Sequence, residues 1–398
     1  MKDKFLNIAL LGVLCSLVAC SDANEMPALD PQRYIMFSAP SIAFDYNETP
    51  YSRAELVDEI TEFKVWGYCI PNDVNNNLSI NQASAKWDDK SEFFSKGPDV
   101  LNGFSVKVNG GNASYDKDKP DDTTKSNPMP WYSGTGHLNA NKYNYGFIAG
   151  SANYGTFTMT YKAVPASAHP VLKFELPHTS NTIDNELDYT LQPDALVGVK
   201  FDQSNNSKVG LTFQHIMTGI RFRFHNHCTS TDEDKKDLVI HRVTFSGEFY
   251  KTAEFSFAKE EMQGSVIGDT YAGTFVLLNT DQTIAAGQSD LMRHNGTPNE
   301  RSVKLLLLPN PNATLETSQD EIDDWALGRK KQITIEYSIS GEKHTFTTNN
   351  DFRLSYIPDP NTLHTANFHF VGDDFVVTFQ ADNETNWESV PDSNLEIH

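Results

Sequence analysis

The chain has 398 residues, which is enough for two or three domains with substantial hydrophobic cores. Its 53 acidic residues outnumber its 32 basic ones, and the formal charge of -21 argues against binding to nucleic acid or directly to an acidic lipid surface. Hydrophobic residues make up 38% of the chain and the mean hydropathy is -0.47, values that suit a soluble ectodomain rather than a membrane protein.

The first twenty residues have the pattern of an export signal. Lys2 and Lys4 precede an apolar stretch, residues 8–18, that is too short to span a bilayer comfortably. The stretch ends in Leu17-Val18-Ala19-Cys20, which resembles a bacterial lipobox. We therefore expect a lipoprotein signal peptide over residues 1–19 and a lipid on Cys20 that holds the mature chain at a membrane. An ordinary signal peptide, cut after a small residue, is the alternative.

Two cysteines remain in the body of the chain, Cys69 and Cys228. Because the export route is oxidising, they could form a disulfide. Two reduced, buried thiols are equally compatible with the sequence, since two cysteines in so long a chain do not form a disulfide framework.

Short alternating runs follow an acidic, proline-containing tether over residues 20–33. Alternation with a period of two is typical of half-buried β-strands, because successive side chains point to opposite faces of a sheet. Turn-forming Asn, Gly, Asp, Ser and Pro separate the runs. The predicted strands are 35–37, 63–70, 104–108, 143–147, 157–161, 171–176, 209–213, 220–225, 238–245, 248–257, 274–278, 303–308, 333–339, 344–348, 368–370 and 375–379.

Helix signals are few. Ser318-Gln-Asp-Glu321 has the pattern of a capping box and predicts one short helix that ends at Gly328. Many short strands with turns between them and little helix favour an all-β fold of antiparallel sandwiches. Two sandwiches fit the length, and we place the boundary near Phe257, with domains over residues 34–257 and 258–398.

Two groups of residues could hold a metal ion. His225, His227 and Cys228 lie close together at the end of a predicted strand, but no second group with fixed spacing accompanies them. The loop over residues 110–130 carries four aspartates, although its lysines compete for the carboxylates and the pattern of an EF-hand is missing. A strand end and a solvated acidic loop are the preferred interpretations, and we expect no metal and no cofactor.

An enzymatic site is not predicted. The adjacent carboxylates Asp323-Asp324 and Asp373-Asp374 point apart in most backbone conformations, so neither pair favours acid-base chemistry. His215 alternates with strand residues and is interpreted as a packed or capping histidine. The sequence contains no nucleophile elbow, phosphate-binding loop or dinucleotide motif.

Aromatic residues leave a second kind of function open. Tryptophans and abundant tyrosines could stack on sugar rings, although aromatics scattered through a β-sandwich are usually packed in the core or on a sheet face. A surface glycan-binding lipoprotein therefore stays as an alternative. The tryptophans are Trp66, Trp87, Trp131, Trp325 and Trp387.

The centre of the chain resembles the fimbrillin family of Bacteroidales, and specifically the Mfa-like fimbrillins. Asp194-Ala-Leu-Val197, followed by Leu211-Thr-Phe-Gln-His215 and an alternating strand to Phe224, is similar to the signature of that family. Supporting matches span most of the chain. They are Ser52-Arg53 before Phe63-Lys-Val-Trp-Gly-Tyr68, Leu305-Leu-Leu-Leu-Pro309, and Val376-Val-Thr-Phe379 with Trp387.

The resemblance implies two tandem transthyretin-like β-sandwich domains in a subunit of an outer-membrane fimbria at the cell surface. A trypsin-like protease would cut after an arginine and remove the first strand, and a strand of the next subunit would fill the groove. Arg33 and Arg53 are the candidate processing sites. Arg53 is preferred, because a cut there removes the strand at residues 35–37 and a cut at Arg33 spares it. Partners would be other fimbrial subunits, through head-to-tail strand exchange, and a surface glycan or protein.

The C-terminal tail departs from a comfortable match to that family. Residues 381–398 offer only Val390, Leu395 and Ile397 as apolar donor side chains, which leaves a tip or accessory subunit open beside a stalk subunit. Asp122-Thr123-Thr124 resembles the Bacteroidales O-glycosylation sequon, which makes Thr123 a candidate glycosylation site.

Overall fold

The computed structural model describes 19 stretches of the chain. Almost all regular structure within them is β-strand, which confirms the all-β prediction, and the two short 3-10 helices there are Tyr189–Leu191 and His294–Gly296. Over the same stretches, no helix has the length and apolar character needed to cross a bilayer. The described residues are 30–42, 60–71, 98, 100–120, 127–131, 143–152, 155–160, 171–176, 186–204, 207–228, 236–258, 261–267, 269–297, 302–310, 327–348, 360, 363–371, 374–381 and 395–396.

The strands are numbered in chain order. The first eleven are β1 (Ser41–Ile42), β2 (Glu62–Pro71), β3 (Leu101–Asn109), β4 (Asn112–Ser114), β5 (Tyr143–Ala152), β6 (Thr156–Thr160), β7 (Val171–Glu175), β8 (Glu186–Leu187), β9 (Ala195–Gln203), β10 (Thr212–His215) and β11 (Thr218–Asn226). The others are β12 (Leu238–Tyr250), β13 (Thr252–Ala258), β14 (Glu261–Ile267), β15 (Thr270–Leu278), β16 (Gln282–Ile284), β17 (Ser289–Leu291), β18 (Lys304–Leu307), β19 (Arg329–Ile339), β20 (Glu342–Thr347), β21 (Leu363–Val371), β22 (Asp374–Ala381) and β23 (Leu395–Glu396).

The first sheet has seven strands in the order β1-β10-β9-β5-β2-β3-β4. Both of its faces are apolar, as the bulky residues of both parities in the 63–70 run predict. On β2, Phe63 and Val65 join one hydrophobic cluster, whereas Trp66 and Tyr68 join a second one. The sheet is therefore covered on both sides, and its strands are rich in large side chains for that reason.

The hairpin between β3 and β4 shows how the sequence fixes a local turn. Asn109 pairs with Asn112, so only Gly110 and Gly111 form the connection. Both glycines have positive φ, 53° and 85°, which the two central residues of a type I′ hairpin require. The Asn-Gly signal in the sequence predicts this turn, and the structure confirms it.

Three further sheets surround the second cluster. Their orders are β17-β11-β21-β22-β23 with β18 also on β11, β20-β19-β12-β15-β8 with β16 also on β12, and β14-β13-β7-β6. The longest parallel pair joins β11 to β21, from Gly219 opposite Leu363 to Asn226 opposite Phe370. Phe222, Phe224 and Phe368 are almost fully buried between these sheets, so this pair lies at the centre of the molecule.

The stretch from residue 207 to residue 225 connects the two parts. It forms β10 at the edge of the first sheet and then β11 in the second group of sheets. Between them, His215 Nδ1 and Asp194 Oδ1 lie 2.6 Å apart with both side chains buried. This contact fixes the end of β10 against the start of β9, at the point where the chain passes from one hydrophobic cluster to the other.

Most predicted strands are present, with different lengths. The runs 238–245 and 248–257 are divided at Lys251 rather than near residue 246, because β12 continues through Gly247 to Tyr250. The structure adds β1, β4, β8, β9, β14, β16, β17 and β23. The 35–37 run forms an isolated bridge at Phe37 rather than a full strand. Most of the predicted 318–328 helix lies outside the described residues.

The predicted domain boundary at Phe257 lies inside β13. The pairs β11–β21 and β12–β19 join chain segments on either side of it, and the first sheet contains no strand after β10. Among the described residues, no strand of the first sheet pairs with a strand of the other sheets, but the chain passes between them more than once. β6, β7 and β8 belong to the other sheets, β9 and β10 return to the first sheet, and the last passage lies between His215 and Thr218. The tandem transthyretin-like arrangement stays a prediction.

Candidate functional site

The N-terminal segment, residues 34–42, is the candidate functional site, together with the groove that holds it. A turn over residues 31–33 leads into isolated bridges at Tyr34 and Phe37 and then into β1, which pairs in parallel with β10. The segment also bridges Asn112 of β4 through Ser38. Because β10 and β4 lie toward the two ends of the first sheet, the segment closes that sheet into a barrel-like ring.

Backbone hydrogen bonds attach the segment to the edge formed by residues 209–213. The amide of Ser38 donates to Val209 O at 3.0 Å, and the amide of Val209 donates to Met36 O at 2.7 Å. The amide of Ser41 donates to Leu211 O at 3.0 Å. Without the segment, these edge groups would be unpaired, and an unpaired strand edge is a template for another strand.

The other side of the segment is held by residues 129–131 and by Tyr115. The amide of Ile35 donates to Met129 O at 2.8 Å, and the amide of Trp131 donates to Arg33 O at 3.2 Å. Tyr115 Oη donates to Ile35 O at 2.9 Å and accepts from the amide of Met129 at 3.0 Å. Burial raises the pKa of Tyr115, partly offset by the Met129 hydrogen bond, so its phenol is neutral and able to donate.

Two side chains of the segment enter the hydrophobic cluster of the first sheet. Ile35 is 0% exposed and Phe37 is 2% exposed. The Phe37 ring makes edge-to-face contacts with Phe63, Tyr115 and Phe147 at centroid distances of 5.6, 5.8 and 5.7 Å. Burying an Ile or a Phe contributes about 1.5–3 kcal/mol each, so these two residues supply most of the apolar energy of the segment.

The arrangement is suited to strand exchange rather than to bond chemistry. A strand that leaves this groove exposes an apolar slot and a row of backbone donors and acceptors together. A second strand with apolar residues two positions apart satisfies both, which is the principle of recognition by β-strand addition. The groove requires a parallel strand beside β10 and large side chains at the positions of Ile35 and Phe37.

Of the two candidate processing sites, Arg33 lies among the residues that the structure describes. Arg33 lies in the turn, its side chain is 79% exposed, and its Nε lies 3.7 Å from Asp30 Oδ2. Its backbone is fixed, since the amides of Arg33 and Tyr34 both donate to Asp30 O, at 2.9 and 3.1 Å. Arg53, in the stretch between Ile42 and Ile60, lies outside the described residues. Cys20 and Thr123 also lie outside them.

The histidine group weighed as a metal site pairs with side chains of β21. His225 Nε2 lies 2.9 Å from Asn367 Oδ1, and His227 Nε2 lies 2.9 Å from His369 Nδ1. The rings of His225 and His369 are stacked at 4.4 Å. Cys228 is half-buried and Cys69 buried, and the two are not joined by a disulfide.

The other candidate ligands are used within turns or lie outside the described part. Asp116 Oδ1 accepts from the amide of Asp118 at 2.9 Å, and Asn127 Nδ2 donates to Asp118. Over the residues that the structure describes, no group of three or more His, Cys, Asp or Glu side chains is placed to hold a metal ion. Asp121, Asp122, Asp323, Asp324 and Asp373 are not among those residues.

Two of the five tryptophans are described, and both are buried. Trp66 is 4% exposed, and Trp131 is 3% exposed with its Nε1 donating to Pro31 O at 2.9 Å. Trp131 therefore helps to hold the N-terminal segment instead of offering a face to a sugar. Sequence reasoning predicted a strand at residues 35–37, where the structure has an isolated bridge at Phe37. It missed Tyr115 and Trp131 as partners of this segment, because nothing in their local sequence links them to residues so far away in the chain.

Comparisons with known proteins found similarity to solved structures. No protein-family model matches the sequence, and no curated protein matches it. A fimbrial protein from Bacteroides vulgatus is 14% identical with a TM-score of 0.49, covering 89% of this chain and 100% of that one. Candidate cell adhesion proteins from Bacteroides ovatus and Bacteroides uniformis are 13% and 10% identical with TM-scores of 0.39 and 0.40.

These matches cover most of both chains: 87% of this chain and 96% of the Bacteroides ovatus protein, and 89% and 100% for the Bacteroides uniformis protein. The three structural neighbours named here are thus fimbrial and cell adhesion proteins of Bacteroides.

Proposed function

We propose that this protein is a cell-surface fimbrial subunit that assembles by exchanging the strand in its N-terminal groove. One observation carries the proposal: residues 34–42 fill an apolar groove at a sheet edge, with Phe37 buried among Phe63, Tyr115 and Phe147. A segment at the edge of the first sheet is the element that proteolysis can release without cutting a central sheet.

Processing at Arg53 fits this role better than processing at Arg33. A cut after Arg33 leaves residues 34–42 attached to the rest of the fold, and the bond lies in a hydrogen-bonded turn that a protease must first open. A cut after Arg53 separates residues 34–42 from β2, and the segment is then held by non-covalent contacts alone. Its loss becomes reversible and subject to competition by another strand.

The incoming strand is proposed to be the C-terminal tail of a second copy or of a related subunit. In the structure, Leu395 and Glu396 pair with Phe379 and Thr378 at the edge of β22. Leu395 and Ile397 have the same spacing as Ile35 and Phe37. The tail has few apolar residues, but the groove itself buries just two side chains of its present strand deeply, so a short donor is sufficient.

Head-to-tail donation of this kind does not close on itself and therefore grows a filament. The position of the subunit in the fimbria, as stalk or as tip, depends on whether its own tail is donated onward. The lipid on Cys20 would hold the precursor at the outer membrane until processing. The alternative of a glycan-binding lipoprotein has no exposed tryptophan to support it among the described residues, where Trp66 and Trp131 are buried.

Limited trypsin digestion tests the proposal. The mature protein and its Arg53→Ala and Arg33→Ala variants are digested and followed by intact mass and native electrophoresis. We expect a ladder of oligomers from the wild type and from Arg33→Ala, and none from Arg53→Ala. Addition of an excess peptide with the sequence of residues 30–42 should suppress the ladder. A protein cut at Arg53 that stays monomeric and keeps residues 34–42 bound would overturn strand exchange.

A further inference from the structure

A serine, a histidine and an aspartate from three separate elements lie in contact on the outer face of the β12–β19 sheet. His241 is on β12, Ser338 on β19, and Asp281 directly precedes β16. His241 Nε2 lies 3.0 Å from Ser338 Oγ, and His241 Nδ1 lies 2.7 Å from Asp281 Oδ1. These contacts are independent of the N-terminal groove.

The strand register explains how the three residues meet. The pairing of β12 with β19 shifts between Ile240 and Arg242, so His241 lies at a β-bulge. A bulge re-aims the side chain that it carries. β16 pairs with β12 from Leu238 to Ile240, which brings the preceding residue, Asp281, beside His241.

The hydrogen-bond chemistry fixes the direction of the chain of contacts. An ionised carboxylate can only accept, so His241 Nδ1 carries the proton and donates to Asp281. In the neutral ring, Nε2 is then an acceptor, and Ser338 Oγ must donate to it. This is the polarity required of a serine nucleophile with a histidine base that a carboxylate orients.

The exposed fractions of the three residues allow access from solvent. The side chain of Asp281 is 70% exposed and that of His241 is 26% exposed. Ser338 is 8% exposed, which restricts it to small reactants and holds its hydroxyl in one position. Lys343 on β20 is paired directly with Ser338 and is exposed, so the two side chains extend from the same face of the sheet.

We propose that Ser338 is a nucleophilic serine that reacts with small carboxylic esters, with His241 as its general base and Asp281 as a positioning residue. Ser338 Oγ bonds to the ester carbonyl carbon while its proton passes to His241 Nε2. The carbon–oxygen bond to the alcohol then breaks, and the alcohol leaves with that proton. Water, deprotonated by His241, attacks the acyl-serine and releases the acid, which restores Ser338.

The reaction is expected to be slow. The strand that carries Ser338 is paired on both sides, with β12 and with β20, so its backbone amides are committed to the sheet. Charge that develops on the carbonyl oxygen is then stabilised mainly by Lys343. One missing backbone donor in an oxyanion hole costs about 10²–10³-fold in rate, so we expect covalent labelling to be more evident than turnover.

Labelling with a small fluorophosphonate, read by intact mass and peptide mapping, tests the proposal. The expected result is one adduct per folded chain, on Ser338, that is absent in Ser338→Ala and in protein unfolded by urea. Asp281→Asn, a change at an exposed position, should lower the labelling rate at least tenfold, because an amide can donate to Nδ1 and reverse the tautomer. The downfield proton resonance of Nδ1 should disappear in the same variant.

Ser246→Ala is the matched control, since Ser246 lies on the same sheet but donates to the backbone oxygen of Gln332. It should be labelled at the wild-type rate. Lys343→Gln should lower the rate several-fold without a change in thermal unfolding. No adduct on folded wild-type protein, or an adduct that persists in Ser338→Ala, would overturn the proposal. Neither result bears on strand exchange, which does not involve these residues.

Discussion

Two parallel strand pairs in this protein differ in almost every physical respect. β11 and β21 pair over eight residues at the centre of the molecule, with Phe222, Phe224 and Phe368 buried between sheets. β1 and β10 pair over two residues at the edge of the first sheet. Phe37, which precedes β1 in the chain, makes the main apolar contact of this segment with the sheet. Parallel pairing needs a long connection in either case. The proposed function requires the edge pair to be replaceable while the central pair stays in place.

The difference shows where a fold can lose a strand. Removal of β21 would break a central sheet and open the larger hydrophobic cluster. Removal of residues 34–42 would open one groove and leave the six other strands of the first sheet paired. The predictions below test this contrast, starting from the change with the largest expected effect.

Phe222→Ala should destabilise the whole molecule. Phe222 is 1% exposed and stacks on Phe368 with a centroid distance of 6.2 Å. Truncation leaves a cavity that the surrounding sheets cannot fill, so we expect a loss of about 3–5 kcal/mol in the free energy of unfolding, measured by urea denaturation. Val371→Ala on β21 is the control, because Val371 is 55% exposed and should change stability little. Equal losses in the two variants would contradict a central role for the pair.

Phe37→Ala should release the edge segment while the central sheets stay folded. We expect the free energy of local opening, measured by hydrogen exchange at the amide of Ser38, to fall by about 3 kcal/mol. Met36→Ala, at the half-buried neighbouring position, should have a smaller effect. Loss of protection throughout β11 and β21 in Phe37→Ala would show that the segment is not an independent unit.

Acid should weaken the central pair more than the edge segment. Burial lowers the pKa of His364 to about 4, and burial with the nearby His225 and His227 lowers that of His369 to about 4. The unfolded chain, with its histidine pKa near the usual 6.5, then binds more protons than the folded one between these values. Stability is therefore complete above pH 6.5 and is lost as the pH falls toward 4.

The buried His364 should account for about 3 kcal/mol of this loss by pH 4, at about 1.4 kcal/mol for each unit of pKa. In His364→Gln, the free energy of unfolding should depend less steeply on pH between 6.5 and 4 than in the wild type. His344→Gln, at an exposed position of β20, is the control. If the free energy of unfolding of His364→Gln depends on pH as steeply as that of the wild type, His364 is not the source of this acid sensitivity.

Tyr115→Phe should have the smallest effect and should be confined to the groove. The change removes the donor to Ile35 O and the acceptor for the amide of Met129. We expect opening of the segment to become easier by about 1 kcal/mol, measured by hydrogen exchange at Ile35 and Met129. If strand exchange in the cut protein is limited by release of the segment, the same variant should exchange faster.

The sequence predicts the strands well where alternation is local. The runs that became β2, β5, β11 and β19 are long enough that burial on one or both faces is evident from the residues alone. β16 and β17 were missed because three-residue strands carry too little pattern. The placement of the boundary at Phe257 followed length, but β11 and β12 pair with strands far along the chain, which periodicity cannot show.

The residues of the candidate sites also differ in whether a local sequence pattern could predict them. A strand was predicted at Ile35 and Phe37 because they alternate, and the structure forms an isolated bridge there. Their partners Tyr115 and Trp131 lie in loops whose position depends on the whole barrel. His241, Asp281 and Ser338 have no common local motif, since a register shift in β12 is what brings them together. Lipidation at Cys20, processing at Arg53 and glycosylation at Thr123 stay predictions of the sequence.

Strand exchange is tested most directly by the fate of the segment after cleavage. Protein cut at Arg53 is mixed with an excess of isotope-labelled peptide spanning residues 30–53 and followed by native mass spectrometry. The labelled peptide should replace the unlabelled segment in the cut protein, and should not bind to uncut protein or to Arg53→Ala treated with trypsin. A cut protein that retains its original segment, with no labelled peptide bound, would contradict an exchangeable strand.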